Sequence, residues 1–180
     1  MEKNAPTRTS PRARALLQYH EQAPGGGFAR KPYKCPAGKW TIGWGHVILP
    51  HETFIEIDEI EAEHLLDTDL ASCELIVRSL NAGLEQHEFD AVVLMVFNIG
   101  IRAFDTSTMK ARLRERNLVA ASAQFGRWVY VTNPKTKRKE RADGLVIRRT
   151  VEQLLFDGAP DGAIIRERTR LERAAARGSL

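Results

Sequence analysis

Glu21 is the only acid in the first helical stretch of this 180-residue chain, and it stands at the C-terminal end of that stretch. The helix dipole disfavours an acid there, so either the residue is simply solvated or it is kept for something other than helix stability. A carboxyl in a partly apolar cleft keeps its proton near neutral pH and can act as a general acid. Downstream, residues 35–46 read C-P-A-G-K-W-T-I-G-W-G-H. Cys35 offers a thiol that can position water, attack as a thiolate where its surroundings favour that form, or pack as a small hydrophobe. Thr41 offers a hydroxyl that can orient water, or a β-branched strand residue. Cys35 and Cys73 make no disulfide framework, and His46, His51 and His64 have no metal-ligand spacing, so neither metal nor cofactor is expected. His46 is expected to hold a hairpin by a structural hydrogen bond. Trp40, Trp44 and Trp128 are suited to stacking on sugars or to core packing, and core packing is the expectation for most of them.

These groups need elements to position them. Residues 1–11 are polar with two prolines and no periodicity, and read as a flexible arm. Residues 12–21 carry Leu16, Leu17 and His20 at helical spacing, and A-P-G-G-G at 23–27 must end that helix. Residues 28–50 alternate in part and are punctuated by Gly and Pro, which predicts two or three short strands. Residues 58–80 form a long amphipathic helix with Asp58 as N-cap. Residues 85–99 are apolar nearly all round, as befits a helix at the centre of a lobe. Helices are further predicted over 106–116, 119–128, 144–156 and 163–176, with a basic loop at 131–143. The expectation is one α+β, mainly α domain over 12–160, a small β-hairpin lobe joined by a long helix to a helical lobe, followed by a basic helix or tail at 161–180.

The net charge is +4. Such an excess suits an anionic partner or simple solubility. The nine acids between His51 and Val77, with no Lys or Arg among them, argue against a nucleic-acid-binding face. Residues 1–14 hold no apolar core of signal-peptide length, and no run is long enough to span a membrane. Synthesis in a cytosol, without an export route of its own and without stable membrane insertion, is therefore expected.

The block at 35–46 resembles the hairpin of phage-type lysozymes, glycoside hydrolase family 24. F-D-A-V-V-L-M-V-F-N-I-G-I-R-A-F-D-T-S-T at 89–108 resembles that family's central helix and the turn after it. F-G-R-W at 125–128 and G-L-V-I-R-R at 144–149 match as well. The order and spacing of four blocks make the resemblance specific. It implies a lysozyme-like fold and a muramidase hydrolysing the β-1,4 bond between N-acetylmuramic acid and N-acetylglucosamine in bacterial peptidoglycan. It further implies a monomer acting from the host cytoplasm and reaching the wall at lysis with the help of a holin. By position it makes Glu21, Cys35 and Thr41 the catalytic candidates. Val47, Phe97, Asn98 and Ser107 become substrate-binding candidates, and Arg148 and Arg149 become supports for the first helix. The alternatives are a non-catalytic peptidoglycan binder with a lysozyme fold, or a basic protein binding membrane or nucleic acid.

One departure stands out. The family places eight residues between its catalytic Glu and the Asp or Cys that follows, whereas thirteen separate Glu21 from Cys35. The reading adopted is a five-residue insertion, Q-A-P-G-G, after Glu21, because a Gly-rich bulge at a helix-to-strand junction costs little.

Overall fold

The computed structural model describes residues 5–35, 38–133 and 135–180. Helix α1 (Pro11–His20) is started by Ser10, whose hydroxyl accepts from the Ala13 N–H at 3.2 Å, and by a proline at a position that needs no donor. Ala13 and Leu17 are its buried residues. So short a helix depends on what packs against it.

Strands β1 (Ala29–Lys34), β2 (Trp40–Gly43) and β3 (His46–Val47) form one antiparallel sheet in that order. The register pairs Tyr33 with Thr41, Thr41 with Val47 and Ile42 with His46. Cross-strand partners share a face, so Tyr33, Thr41 and Val47 make a row on one side. Ile42 points to the other side and builds a small core with Ile57 and Ala62.

Helix α2 (Glu59–Arg78) ties this small core to the large one. Asp58 Oδ1 accepts from the Glu61 N–H at 2.9 Å, and Glu61 Oε2 accepts from the Asp58 N–H at 3.0 Å, a reciprocal cap. Ala62 belongs to the small core, while Leu66, Leu70, Cys73 and Val77 belong to the large one. Helix α3 (Gln86–Ile99) is buried throughout residues 89–96 and packs on α2 and on α7 (Asp143–Phe156). Truncating a fully buried leucine there, such as Leu94, would cost about 2–5 kcal/mol. Gly100, at φ +85°, ends α3. Then come α4 (Ile101–Asp105), α5 (Thr108–Arg114), α6 (Leu118–Ser122) and a 3-10 turn at Phe125–Arg127. Helix α8 (Asp161–Ala176) follows α7 and packs against it through Ile164 and Leu171.

Three expectations are corrected. The basic loop is a hairpin, β4 (Tyr130–Thr132) paired with β5 (Lys139–Arg141). All its strand residues are exposed, so no apolar alternation announces it. Its turn is held instead by Asn133 Oδ1, which accepts from the N–H groups of Lys135 and Thr136 at 2.9 and 3.1 Å. The arm read as flexible is tied down over residues 7–10. Thr9 donates to the buried Glu74, Ser10 donates to the buried Asp90, and Arg78 donates to the Thr7 carbonyl. The helix expected over 119–128 breaks into α6 and the 3-10 turn, which seats Phe125 in the core.

Candidate active site

Helix α1 ends on Glu21. Its N–H still donates to the Leu17 carbonyl at 2.9 Å, but its backbone has left the helix. The side chain is 19 % exposed and turned inward. Arg148 Nη1 donates to Glu21 Oε1 at 2.5 Å. The other carboxylate oxygen lies against the G-W-G-H turn, where a Cβ on Gly45 would sit 2.8 Å from Oε2. Glycine at 45 thus leaves room for the acid and supplies the φ of +88° that the turn requires. The segment after Glu21 closes on itself: Gly26 N–H donates to the Ala23 carbonyl and Ala23 N–H to the Gly27 carbonyl, both at 2.9 Å. Pro24, Gly25, Gly26 and Gly27 are exposed, so the extra residues stand in solvent.

Behind Glu21 lies a buried charged cluster from α7. Arg148 Nε and Arg149 Nη2 both donate to Glu152 Oε1, at 3.1 and 2.6 Å, and Glu152 is fully buried. Two guanidinium groups thus face two carboxylates. Burial pushes the Glu152 carboxyl up, by more than the two arginines pull it down. His20 adjoins the cluster. Burial, then the charges of Arg148, Arg149 and Arg168, lower its pKa to about 3, so it is neutral.

The hairpin carries the other two catalytic candidates. Cys35 is half-buried at the end of β1, and its N–H donates to the Lys39 carbonyl at 2.9 Å. Thr41 is buried, and its hydroxyl donates to the Lys39 carbonyl at 3.3 Å, which leaves its lone pairs able to accept. Tyr33, opposite Thr41, has its phenol pKa raised, first by burial and then by its electrostatic environment, to which Cys35 and Glu21 contribute.

Val47 and Phe97 line one groove of about 300 Å³, together with Gly45, Val96 and Gly100. Ser107 caps α5 and lines a separate groove of about 390 Å³ with Gln124, Arg127, Trp128 and Tyr130. Asn98 is exposed in the last turn of α3. Trp44 packs between the two cores, and its Nε1 donates to Glu63 at 2.7 Å. Trp40 is exposed, with the Lys34 ammonium 5.4 Å from its ring centre. His46 holds the hairpin, with Nδ1 2.9 Å from Asp69 and Nε2 3.0 Å from Glu52.

Residue reading passed over Gly45, Tyr33 and Glu152. The glycine was visible inside the hairpin motif, where a residue with no side chain signals a close approach. Glu152 was visible three and four residues after two arginines on one helix. Nothing in the sequence marks Tyr33, whose place opposite Thr41 arises from strand register.

Residues 24–152 match the family model described as phage lysozyme. The chain is 36% identical over 137 residues to an endolysin of Acyrthosiphon pisum secondary endosymbiont phage 1, spanning 74% of this chain and 90% of that protein. Among solved structures it resembles the muramidase domain of SpmX from Asticaccaulis excentricus, at TM-score 0.72 and 28% identity, over 84% of this chain and 98% of that one. It also resembles the endolysin from Escherichia coli O157:H7 phage FAHEc1, at TM-score 0.69 and 27% identity, over 89% and 100% of the two chains. Sequence and architecture agree over most of the molecule, and this chain belongs to the phage lysozyme family.

Proposed function

We propose that this protein is an endolysin, a muramidase that hydrolyses the β-1,4 bond between N-acetylmuramic acid and N-acetylglucosamine in bacterial peptidoglycan. The reading rests on family membership and on one local observation. The Glu21 carboxylate is held between Arg148 and Gly45 while the residues that lengthen its spacer to Cys35 lie outside. Glycoside cleavage needs a proton on the leaving oxygen and a stabilised oxocarbenium-like centre. Glu21, in its protonated form, gives that proton to the leaving oxygen and becomes the carboxylate that Arg148 holds. Thr41, with its own proton committed to the Lys39 carbonyl, accepts from and orients the attacking water. Cys35 is the polar group beside that water. Val47 and Phe97 bed the glycan in their groove, and Asn98 and Ser107 extend the contact along the strand.

Clearing of purified cell walls tests this. Glu21→Gln should slow clearing about 10²–10⁴-fold, the usual contribution of a positioned acid, with the thermal transition retained. Undiminished clearing by that variant would remove Glu21 from the mechanism.

No helix of the described residues is long and apolar enough to cross a membrane. We infer that the protein acts as a monomer, is made in the host cytoplasm and reaches the wall when a holin opens the membrane. Cells producing it alone should keep growing and should lyse on addition of a permeabilising agent. Lysis without that agent would contradict the route.

A further inference from the structure

Helix α8 lies beyond the stretch that matches the family model, and α1 with Glu21 lies before it. The two meet. Tyr19, the penultimate residue of α1, donates its phenol to Glu172 Oε1 at 2.6 Å. Arg168 lies over the same ring, its guanidinium carbon 3.8 Å from the ring centre, and its Nε is 3.6 Å from Glu172 Oε1. The bond to Glu172 raises the phenol pKa, so the hydroxyl stays a donor. The Tyr19 ring meets the His20 ring edge-on, with centres 5.6 Å apart. Tyr19 is nonetheless 38 % exposed, so this contact adds little to the core.

The end of α1 needs such a contact. A ten-residue helix frays at its termini, and its last buried anchor is Leu17, four residues before Glu21. Arg148 grips the Glu21 carboxylate itself, but a bond to the end of a side chain does not fix the backbone that carries it. Fixing the backbone from which the acid projects requires a grip on the last turn. Tyr19 in that turn is held by a charged acceptor on one side and a stacked cation on the other. Acid catalysis is sensitive to such placement, because small displacements of a reacting group change rates steeply.

We propose that Tyr19, Arg168 and Glu172 form a clasp by which α8 fixes the last turn of α1 and so positions Glu21 for proton transfer. The three are positioning residues, and the proposal rests on the general-acid role of Glu21. It makes α8 a support of the reaction added outside the matched family stretch.

Steady-state turnover of purified peptidoglycan tests the clasp. Tyr19→Phe and Glu172→Ala should lower kcat about tenfold with KM within about twofold, since the glycan-binding groove is untouched. Glu172→Gln should restore kcat, because its amide oxygen still accepts from the phenol. In a Glu21→Gln background the same substitutions should cost nothing further, since no acid remains to misplace. Wild-type kcat in both Tyr19→Phe and Glu172→Ala, even with a lowered Tm, would make the contact merely structural and overturn the proposal. An equal fold-loss in the Glu21→Gln background would overturn it too. If Glu21→Gln itself turns over at the wild-type rate, the acid assignment fails and takes the clasp with it. If Glu21→Gln is crippled while the clasp variants are not, the clasp alone fails.

Discussion

His46 and His20 stand in polar clusters of opposite character, one in each lobe. The hairpin cluster is acidic: His46 is buried between Asp69 and Glu52, and each ring nitrogen has a carboxylate partner. Its bond to Asp69, then that to Glu52, raise its pKa to about 9 against the effect of burial. The cluster at the end of α1 is cationic, and His20 there has its pKa lowered to about 3. That cluster is also less fully paired by protein groups. Among the described residues His20 Nε2, Arg148 Nη2, Arg149 Nε and Nη1, and Glu152 Oε2 are buried without hydrogen-bond partners. The hairpin cluster braces the sheet against α2, whereas the cationic one adjoins the Glu21 carboxylate.

The largest consequence is at acid pH. An unfolded chain protonates His20 below about pH 6.5, while the folded protein resists until about pH 3. The unfolded state therefore holds the extra proton across that window, and stability should fall as pH drops. At about 1.4 kcal/mol per pH unit the loss reaches up to about 5 kcal/mol. Denaturant melts of His20→Phe, which cannot titrate, should show a flatter acid limb than wild type. Parallel limbs would break the contrast between the histidines.

Next in size is the integrity of the arginine cluster. Glu152→Gln leaves Arg148 and Arg149 without their shared carboxylate in a buried site, which should cost about 3–5 kcal/mol in urea unfolding. Glu52→Gln, at the partly exposed edge of the hairpin cluster, should cost less than half as much. Equal losses would show that the two clusters do the same structural work.

The alkaline side mirrors the acid one. His46 keeps its proton in the folded protein up to about pH 9, while the unfolded chain releases it near pH 6.5. Its contribution is thus fully present below pH 6.5 and lost as pH rises to about 9. Over those 2.5 units the loss is about 3 kcal/mol. His46→Gln should be less stable than wild type at pH 6 and nearly equal to it at pH 9.5. With both limbs, wild type should be most stable near pH 6.5.

How far this contrast could be read from the chain depends on sequence distance. The Asp58–Glu61 cap, the buried α3 and the T-I-G-W-G-H hairpin are local patterns, so they are legible. The Glu21–Arg148 pair joins residues far apart in sequence and was reached only through resemblance to a family. The Thr9–Glu74 and Ser10–Asp90 bonds carry no such signature, which is why a bound strap reads as a loose arm. The β4–β5 hairpin was missed because alternation records burial, and neither of its faces is buried. Its cohesion lies in an asparagine turn and backbone pairing.

The smallest effect expected concerns the two thiols, which again divide between the clusters' settings. Cys73 lies in the large core, and burial, then Asp69 and Glu74, push its thiol up to about 12. It should be inert to thiol reagents in the native protein. Cys35, half-buried on the hairpin, should be the one labelled, which makes blocking experiments interpretable. The proposed site places Cys35 beside the attacking water. Cys35→Asp should then keep wall clearing within a few-fold of wild type, because a carboxylate there supplies both a polar atom and a charge that stabilises the oxocarbenium-like centre. Cys35→Ala removes the polar atom and should clear more slowly. Thiolate attack makes a different demand: a thiol reagent would then abolish activity outright, and Asp would have to take over as nucleophile. A packing role makes the opposite one, with Ala nearly neutral and Asp harmful, since an unpaired carboxylate would have to be buried. Wall clearing by the three proteins, each with its thermal transition recorded, separates these outcomes. Full activity in Cys35→Ala together with collapse in Cys35→Asp would take Cys35 out of the site and leave the chemistry to Glu21 and Thr41.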